Sequence, residues 1–430
     1  MPAKPPLGKV GRALSGGHTA AKVGTKVLAY YAKRPFLSQE GRRQAQETAA
    51  RQGAQTLFQG LSLLRGTALK MAQQLSLEMD LLPEAACREL SKAYHQVPPI
   101  NRALVRKAIS AALGSPPESL FKRFDLDAFA AASLGQVHLA FTYEDAPLAV
   151  KIQYPGIART IDSDVGLLKQ LLRPMVKSED LMPTLNEVAQ RLGEEVDYLQ
   201  EAEHLRFFAD RLNIPGIRIP QVNTPFSAAT VLSTALMPGK PLDLWLQTNP
   251  SQQAKDEIAR KLDKLFLQSL YELNAIHADP NPGNFIIADD LTIGLVDFGC
   301  IKRLAPEFVE HYRKLALAAA HHEAGAHYAQ MIALGFIPPD LPPEVAHEIR
   351  TISDTVGRWF GRLFQEETFD FTEQTGFITE GKQVMRRFNH LRRHLRINPE
   401  MIFLDRTRYG LLRIFEMLGA RVRFRNPYEW

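Results

Sequence analysis

The stretch from His277 to Gly299, HADPNPGNFIIADDLTIGLVDFG, sets an acid and an amide five residues apart and follows them with a second acid. Asp279 can orient or deprotonate a nucleophile, Asn284 can hold one Mg²⁺, and Asp297, opening Asp297-Phe298-Gly299, can chelate a Mg²⁺ that bridges nucleotide phosphates. Phe285 to Ala288 and Thr292 to Val296 read as two short strands joined at Asp289-Asp290. A hairpin of that kind brings Asn284 and Asp297 together at its open end. The spacing predicts a magnesium phosphate site.

Upstream, Lys255 to Ile276 has a helical pattern that runs straight into His277, and Leu242 to Thr248 is a shorter helix behind the hinge-like Pro238-Gly239-Lys240. Ile217 to Val222 and Thr230 to Met237 read as strands, and Asn186 to Leu212 as one helix. Further back, Pro147-Leu148-Ala149-Val150-Lys151-Ile152-Gln153 is a strand with a lysine at the centre of an apolar run. A lysine there is costly unless paired. On the helix, Asp197 and Glu201 are four apart and share a face, whereas Glu195 and Glu201 do not. Glu201 is expected to meet Lys151. Before that strand, Ala130-Ala131-Ala132-Ser133 opens into an alternating apolar strand and occupies the place of a loop that covers phosphates. Asn101 to Leu113 is a short helix.

With 430 residues and 45% apolar content, the chain can bury more than one core. Two cysteines, Cys87 and Cys300, exclude a disulfide framework and fit a reducing compartment. No run of about eighteen apolar residues is present, so neither a transmembrane helix nor a signal peptide is expected. Residues 1–34 hold seven Lys or Arg and no acid, and residues 381–430 hold twelve against four. The net charge of +5 therefore leaves the remainder at −10. Basic ends with interleaved apolar residues suit an anionic membrane surface or a solvated tail. No nucleic-acid-binding motif accompanies them. Arg386, Arg387, Arg392, Arg393 and Arg396 can grip phosphates or cover a helix. His321, His322, Glu323 and His327 read as a solvent-facing helix rather than a metal site.

Residues 39–82 form one long helical pattern that contains Lys70-Met71-Ala72-Gln73, and a second helix follows at Glu84 to Tyr94. In order along the chain stand Lys70 to Gln73, the alanine-rich Ala130 to Ser133, Lys151, Glu195-Val196-Asp197, His277 to Asn284, and Asp297. The last two follow the H-R-D-x-x-x-x-N and D-F-G order of protein kinases, with Ala278 where those have arginine. The whole series resembles the AarF/UbiB family of atypical kinases, with K-x-G-Q, the alanine-rich loop and E-x-D as its marks. Ala72 departs from the usual glycine of the first of these.

The resemblance implies an α+β, two-lobed protein-kinase-like fold with a helical N-terminal extension covering the nucleotide cleft. Residues 1–60 would be a basic segment and the start of that extension, 61–120 the K-x-G-Q extension, 121–238 an N-lobe, and 239–430 a mostly helical C-lobe. It implies catalytic Asp279 and Lys151, and metal ligands Asn284 and Asp297. Nucleotide would be handled by Ala130, Ala131, Ala132, Ser133, Lys151 and Glu201, with Lys70 and Gln73 folded over Glu195 and Asp197. ATP or ADP with Mg²⁺ would be the cofactors. The implied function is an ATPase, or a kinase of a small or lipid substrate, in ubiquinone-type isoprenoid metabolism. It would be cytoplasmic or peripheral to a membrane. The alternative is a nucleotide-sensing pseudokinase that acts as a scaffold for lipid-biosynthesis enzymes.

Overall fold

In a computed structural model of the chain, the described residues run from Ile100 to Trp430, apart from Ser133, Asp162, residues 167–188, Arg191 and Ile397. The basic N-terminal segment, the K-x-G-Q extension with Lys70 and Gln73, and Cys87 lie outside them. The described chain divides into two compact units: residues up to Ala202 together with Val222–Ala235, and Glu203–Gln221 together with Leu236–Trp430.

In chain order, the first unit opens with α1 (Arg102–Leu113) and α2 (Pro117–Leu120). Asn101 caps α1 by accepting from the Leu104 amide, and Gly114, at φ 78°, ends it. Four strands follow: β1 (Arg123–Phe124), β2 (Ala130–Ala132), β3 (Gly135–Phe141) and β4 (Pro147–Gln153). Helix α3 (Tyr198–Arg211) carries the boundary between the units, and β5 (Ile217–Arg218) finds its partner later in the chain. Strand β6 (Val231–Ala235) completes an antiparallel sheet ordered β1-β3-β4-β6, with β2 also paired to β3. Alternation along β4 decides the layers. Leu148, Val150 and Ile152 point to one face and are buried against Val105 and Ile109 of α1. Ala149, Lys151 and Gln153 point to the other.

The single helix expected over residues 186–212 is interrupted. Residues 192–195 are helical, Val196 turns, and α3 starts afresh at Tyr198. The Asp197 carboxylate accepts from the Gln200 amide, so this acid is a cap that restarts the helix, a role its sequence spacing did not distinguish from a functional one.

The second unit continues with β7 (Lys240–Pro241), α4 (Leu242–Leu246) and α5 (Gln252–Leu273). Helix α5 does not reach His277. Asn274 adopts the left-handed region at φ 49° and stops it, and β8 (Ala275–His277) follows. Strands β9 (Phe285–Ile287) and β10 (Ile293–Leu295) form the expected hairpin, within a sheet ordered β5-β10-β9-β7. Strand β11 (Ile301–Arg303) returns antiparallel to β8. Five helices and two short strands complete the unit: α6 (Pro306–Ala320), α7 (Ala324–Ala333), α8 (Pro343–Gly361), β12 (Phe369–Asp370), α9 (Phe377–Arg386), α10 (Pro399–Leu418) and β13 (Arg421–Val422).

Phe364, Phe371, Phe377, Phe415 and Phe424 are almost fully buried here, each contributing about 2 kcal/mol of transfer free energy. The basic C-terminal end is thereby folded in. Strand β13 pairs with β12, Arg421 meets Asp370, and Arg408 is buried in a charged pair with Glu429. Nor do the histidines form one solvent-facing helix. His321 and His322 sit in the turn between α6 and α7, and His327 is buried with Nδ1 on the Ser353 hydroxyl. Among the described residues no helix is long and apolar enough to cross a membrane, and no cluster of His, Cys, Asp and Glu can hold a metal on its own.

Gly135 marks the tightest point of the first unit. A Cβ there would stand 2.3 Å from the Ile152 carbonyl oxygen and 2.8 Å from the Tyr198 hydroxyl. Gly135→Ala should therefore spread β3 from β4 and push α3 away, costing about 1–3 kcal/mol in urea unfolding. An unchanged midpoint would show that the contact yields freely.

Candidate functional site

Lys151 lies on β4 opposite Val137 of β3 and Leu232 of β6, in the middle of the sheet. Its ammonium donates to both oxygens of Glu201, at 2.8 and 2.9 Å, and lies 5.1 Å from the centre of the Tyr198 ring. The Glu201 side chain is 2% exposed and that of Lys151 14%. Removed from water, two such charges need close mutual pairing to persist. Gln153, the next residue on that face, donates to the Val196 carbonyl and ties the strand to the turn before α3.

The alanines form one arm of a hairpin, with Ala130 opposite Val137, Ala131 opposite Gln136, and Ala132 opposite Gly135. They are half-buried or exposed, and the turn after them passes through Ser133, which is outside the described residues. Glu195 is half-buried and Asp197 exposed. The contact expected between these acids and Lys70 also lies outside the described residues.

The second unit assembles the other group. The β8–β11 ladder and the amide of Ala278, which donates to the Cys300 carbonyl, fix the start of the loop. Asn284 is buried, and its side-chain NH₂ donates at 3.0 Å both to the Asp279 carboxylate and to the Asp279 carbonyl. The Asn284 Oδ1 is left free of hydrogen bonds among the described residues. The hairpin is closed at this end by the Val296 amide donating to the Asn284 carbonyl, which places Asp297 next to Asn284 as expected.

Asp297 has φ 63°, a left-handed conformation that costs an acidic side chain about 1 kcal/mol or more. Two histidines hold it there. A carbonyl can only accept, so His277 donates through Nε2 to the Asp297 carbonyl at 2.8 Å, and His204 donates through Nδ1 to the Phe298 carbonyl at 3.1 Å. Phe298 is fully buried, edge-on to His277 and to Phe208. The Gly299 amide donates to the Asp297 carboxylate at 3.4 Å. The strained backbone is thus determined from both sides, as at sites where a side chain must point one way.

One residue was missed. The Arg406 guanidinium of α10 stands 3.5 Å from Oδ1 of Asp279, both side chains being about a quarter to a third exposed at 26% and 31%. It brings a cation to Asp279 in a loop whose own residue 278 is alanine, the position where protein kinases carry arginine. Helix α10 comes this close because residue 410 is glycine: a Cβ there would lie 2.1 Å from the ring of Pro280. Ala278 signalled a missing cation, but nothing in one sequence singles out Arg406 among the many basic residues downstream.

Oxygen donors set as these are suit Mg²⁺. It keeps waters and substrate phosphates as ligands and takes one or two protein oxygens, which the Asp297 carboxylate and the Asn284 Oδ1 can provide. No third protein ligand is required.

The pattern of the ABC1 atypical kinase-like domain matches residues 92–331. The chain is similar to the atypical kinase COQ8B, mitochondrial, of Rattus norvegicus, at 31% identity over 74% of this chain and 61% of that protein. It is also similar to the atypical kinase COQ8, mitochondrial, of Saccharomyces cerevisiae, at 30% over 73% and 63%. The chain thus spans less than two thirds of the length of these curated relatives. Among solved structures, Rv3197 of Mycobacterium tuberculosis, in complex with erythromycin, has the same fold, with a TM-score of 0.60 and 23% identity over 89% of this chain and 95% of that one.

The buried pair predicts its own double-mutant behaviour. Glu201→Leu alone removes this carboxylate from the part-buried Lys151 ammonium and should cost about 3–5 kcal/mol in urea unfolding, whereas adding Lys151→Met should recover most of that loss. Simple additivity of the two changes would mean that the groups do not depend on one another.

Proposed function

This chain belongs to the ABC1 atypical kinase family of AarF/UbiB type, and from that premise we propose that it binds Mg²⁺-ATP and catalyses phosphoryl transfer. It does so as an ATPase or as a kinase of a small or lipid substrate in isoprenoid quinone metabolism. The observation that carries the reading is Asp297: a left-handed aspartate, clamped by two histidines, beside an asparagine with an unused oxygen.

Lys151, kept charged and aimed by Glu201, would bind the α- and β-phosphates. Asn284 and Asp297 would hold Mg²⁺, which when bound supplies charge neutralisation across the phosphates. Asp279 would orient the nucleophile or take its proton, with Asn284 on one oxygen and Arg406 beside the other. That cation holds the carboxylate in one orientation, which is the task of a positioning residue. The helical extension with Lys70 and Gln73 would cover the nucleotide, as the family motifs imply.

The second reading is a nucleotide-sensing scaffold for lipid-biosynthesis enzymes, favoured by Ala278 in place of arginine. Arg406 weighs against it, since the missing charge is restored from elsewhere. Attachment to an anionic membrane would draw on the N-terminal basic segment and on exposed arginines such as Arg387, Arg393, Arg396 and Arg413, rather than on Arg408, which is buried.

Asp297→Asn should lower phosphate release by about a hundred-fold or more and weaken the thermal stabilisation given by Mg²⁺-ATP. Asp279→Asn should lose turnover but keep that stabilisation, because its carboxylate acts on the nucleophile. A wild-type protein without phosphate release, yet stabilised by nucleotide, would favour the scaffold.

Arg406→Ala should cut turnover by about ten- to a hundred-fold with nucleotide stabilisation intact, and Arg406→Lys should restore part of it. Full activity in Arg406→Ala would remove the positioning role while leaving the kinase reading standing.

A further inference from the structure

Helix α10 has a second face, turned from Asp279 to the interior of the helical bundle. There, Asp405 and Tyr409 border a cavity of about 80 Å³ whose other walls include Tyr312 of α6, Met331 of α7, and Trp359 and Phe360 of α8. A water needs about 10–15 Å³ of such space and a benzene ring about 150 Å³, so the cavity has room for several waters or for one short aliphatic guest.

Its polar lining is unbalanced. Asp405 makes no hydrogen bond and no ion pair among the described residues, although it keeps partial exposure into the cavity. Arg408 also lines the cavity and acts electrostatically on Asp405, but it makes no ion pair with it: it is buried, paired with Glu429, and lies over the rings of Phe266 and Phe360. Asp263 is buried on the neighbouring α5. One guanidinium thus stands among three carboxyl groups, and the deficit is one of positive charge. His327 does not supply it. The Ser353 hydroxyl donates to the Met331 sulfur, so His327 must donate to Ser353 through Nδ1, and burial pulls its pKa down to about 4. Its other nitrogen is therefore an acceptor. Burial also pushes the Asp405 carboxyl up to about 7, a cost that a bound cation relieves.

We propose that this cavity binds a small organic amine, its apolar body against Trp359 and Phe360 and its ammonium on the Asp405 carboxylate. Aromatic walls attract cations through the faces of their rings, and methionines such as Met331, Met385 and Met401 adapt to the shape of the guest. A neutral apolar guest would leave the carboxylate buried and unpaired, so selectivity for the cation is the signature. The proposal does not depend on nucleotide chemistry.

Calorimetric titration of the full chain with ethylammonium and with ethanol, which are nearly equal in size, tests it. Ethylammonium should bind at least ten-fold more tightly, the preference should vanish in Asp405→Asn, and Ala316→Phe should fill the cavity and abolish binding of both. Equal affinity for the two probes, no binding of ethylammonium, or a preference that survives Asp405→Asn would overturn it. Should Asp405→Asn not fold, Ala316→Phe alone decides, since ammonium binding that persists with the cavity filled would place the amine elsewhere.

Discussion

A single N–H to carbonyl contact, His277 to Asp297 at 2.8 Å, is what the second unit is arranged to keep. Without it, the left-handed aspartate would lose one of the two histidine contacts that hold its loop. Each neighbouring element can be understood by how it serves that contact. Asn274 ends α5 early enough for Ala275–His277 to become a strand, β11 pins that strand, and the β9–β10 hairpin delivers Asp297 back to the same end. Phe298, packed edge-on against His277, prevents the imidazole from swinging.

The first unit solves a different electrostatic problem by a similar route. Strand alternation puts Lys151 on the face opposite the hydrophobic core, and the break at Val196-Asp197 lets α3 begin where its first turn places Glu201 over the amine. The close approach at Gly135 permits that placement. Charge is buried in both units, but the solutions differ. Lys151 and Glu201 neutralise each other directly, whereas the Arg408 cluster of the second unit holds more acid than base.

Local pattern was legible in the sequence where one residue type has one meaning. The hairpin and the lysine strand follow from a period of two residues; the choice of Glu201 does not, because Asp197, four residues away, shares its face. What was hidden involved competition or distance. Asp197 suits both an exposed acid on a continuous helix and a cap, and only the packed chain decides between them. Asn274 ends a helix whose apolar pattern continues past it into a strand that is also apolar. The C-terminal arginines resembled a solvated end by charge count, yet their partners Asp370 and Glu429 are set by tertiary pairing. Arg406 combines both difficulties, since its value depends on a vacancy at Ala278 and on Gly410 letting the helix seat against Pro280.

That seat bears on how the boundary of the catalytic module is drawn. The family pattern ends at residue 331, and every named motif of phosphoryl transfer lies before that point. Helix α10 lies wholly after it, yet it contributes the guanidinium beside Asp279 and the surface on which Pro280 rests. A fragment trimmed to the matched span would lose Lys70 to Gln73 at one end and, at the other, the helix that supports the remaining signatures. By the same logic, two relatives with identical motifs can differ in competence through a helix that no motif search inspects.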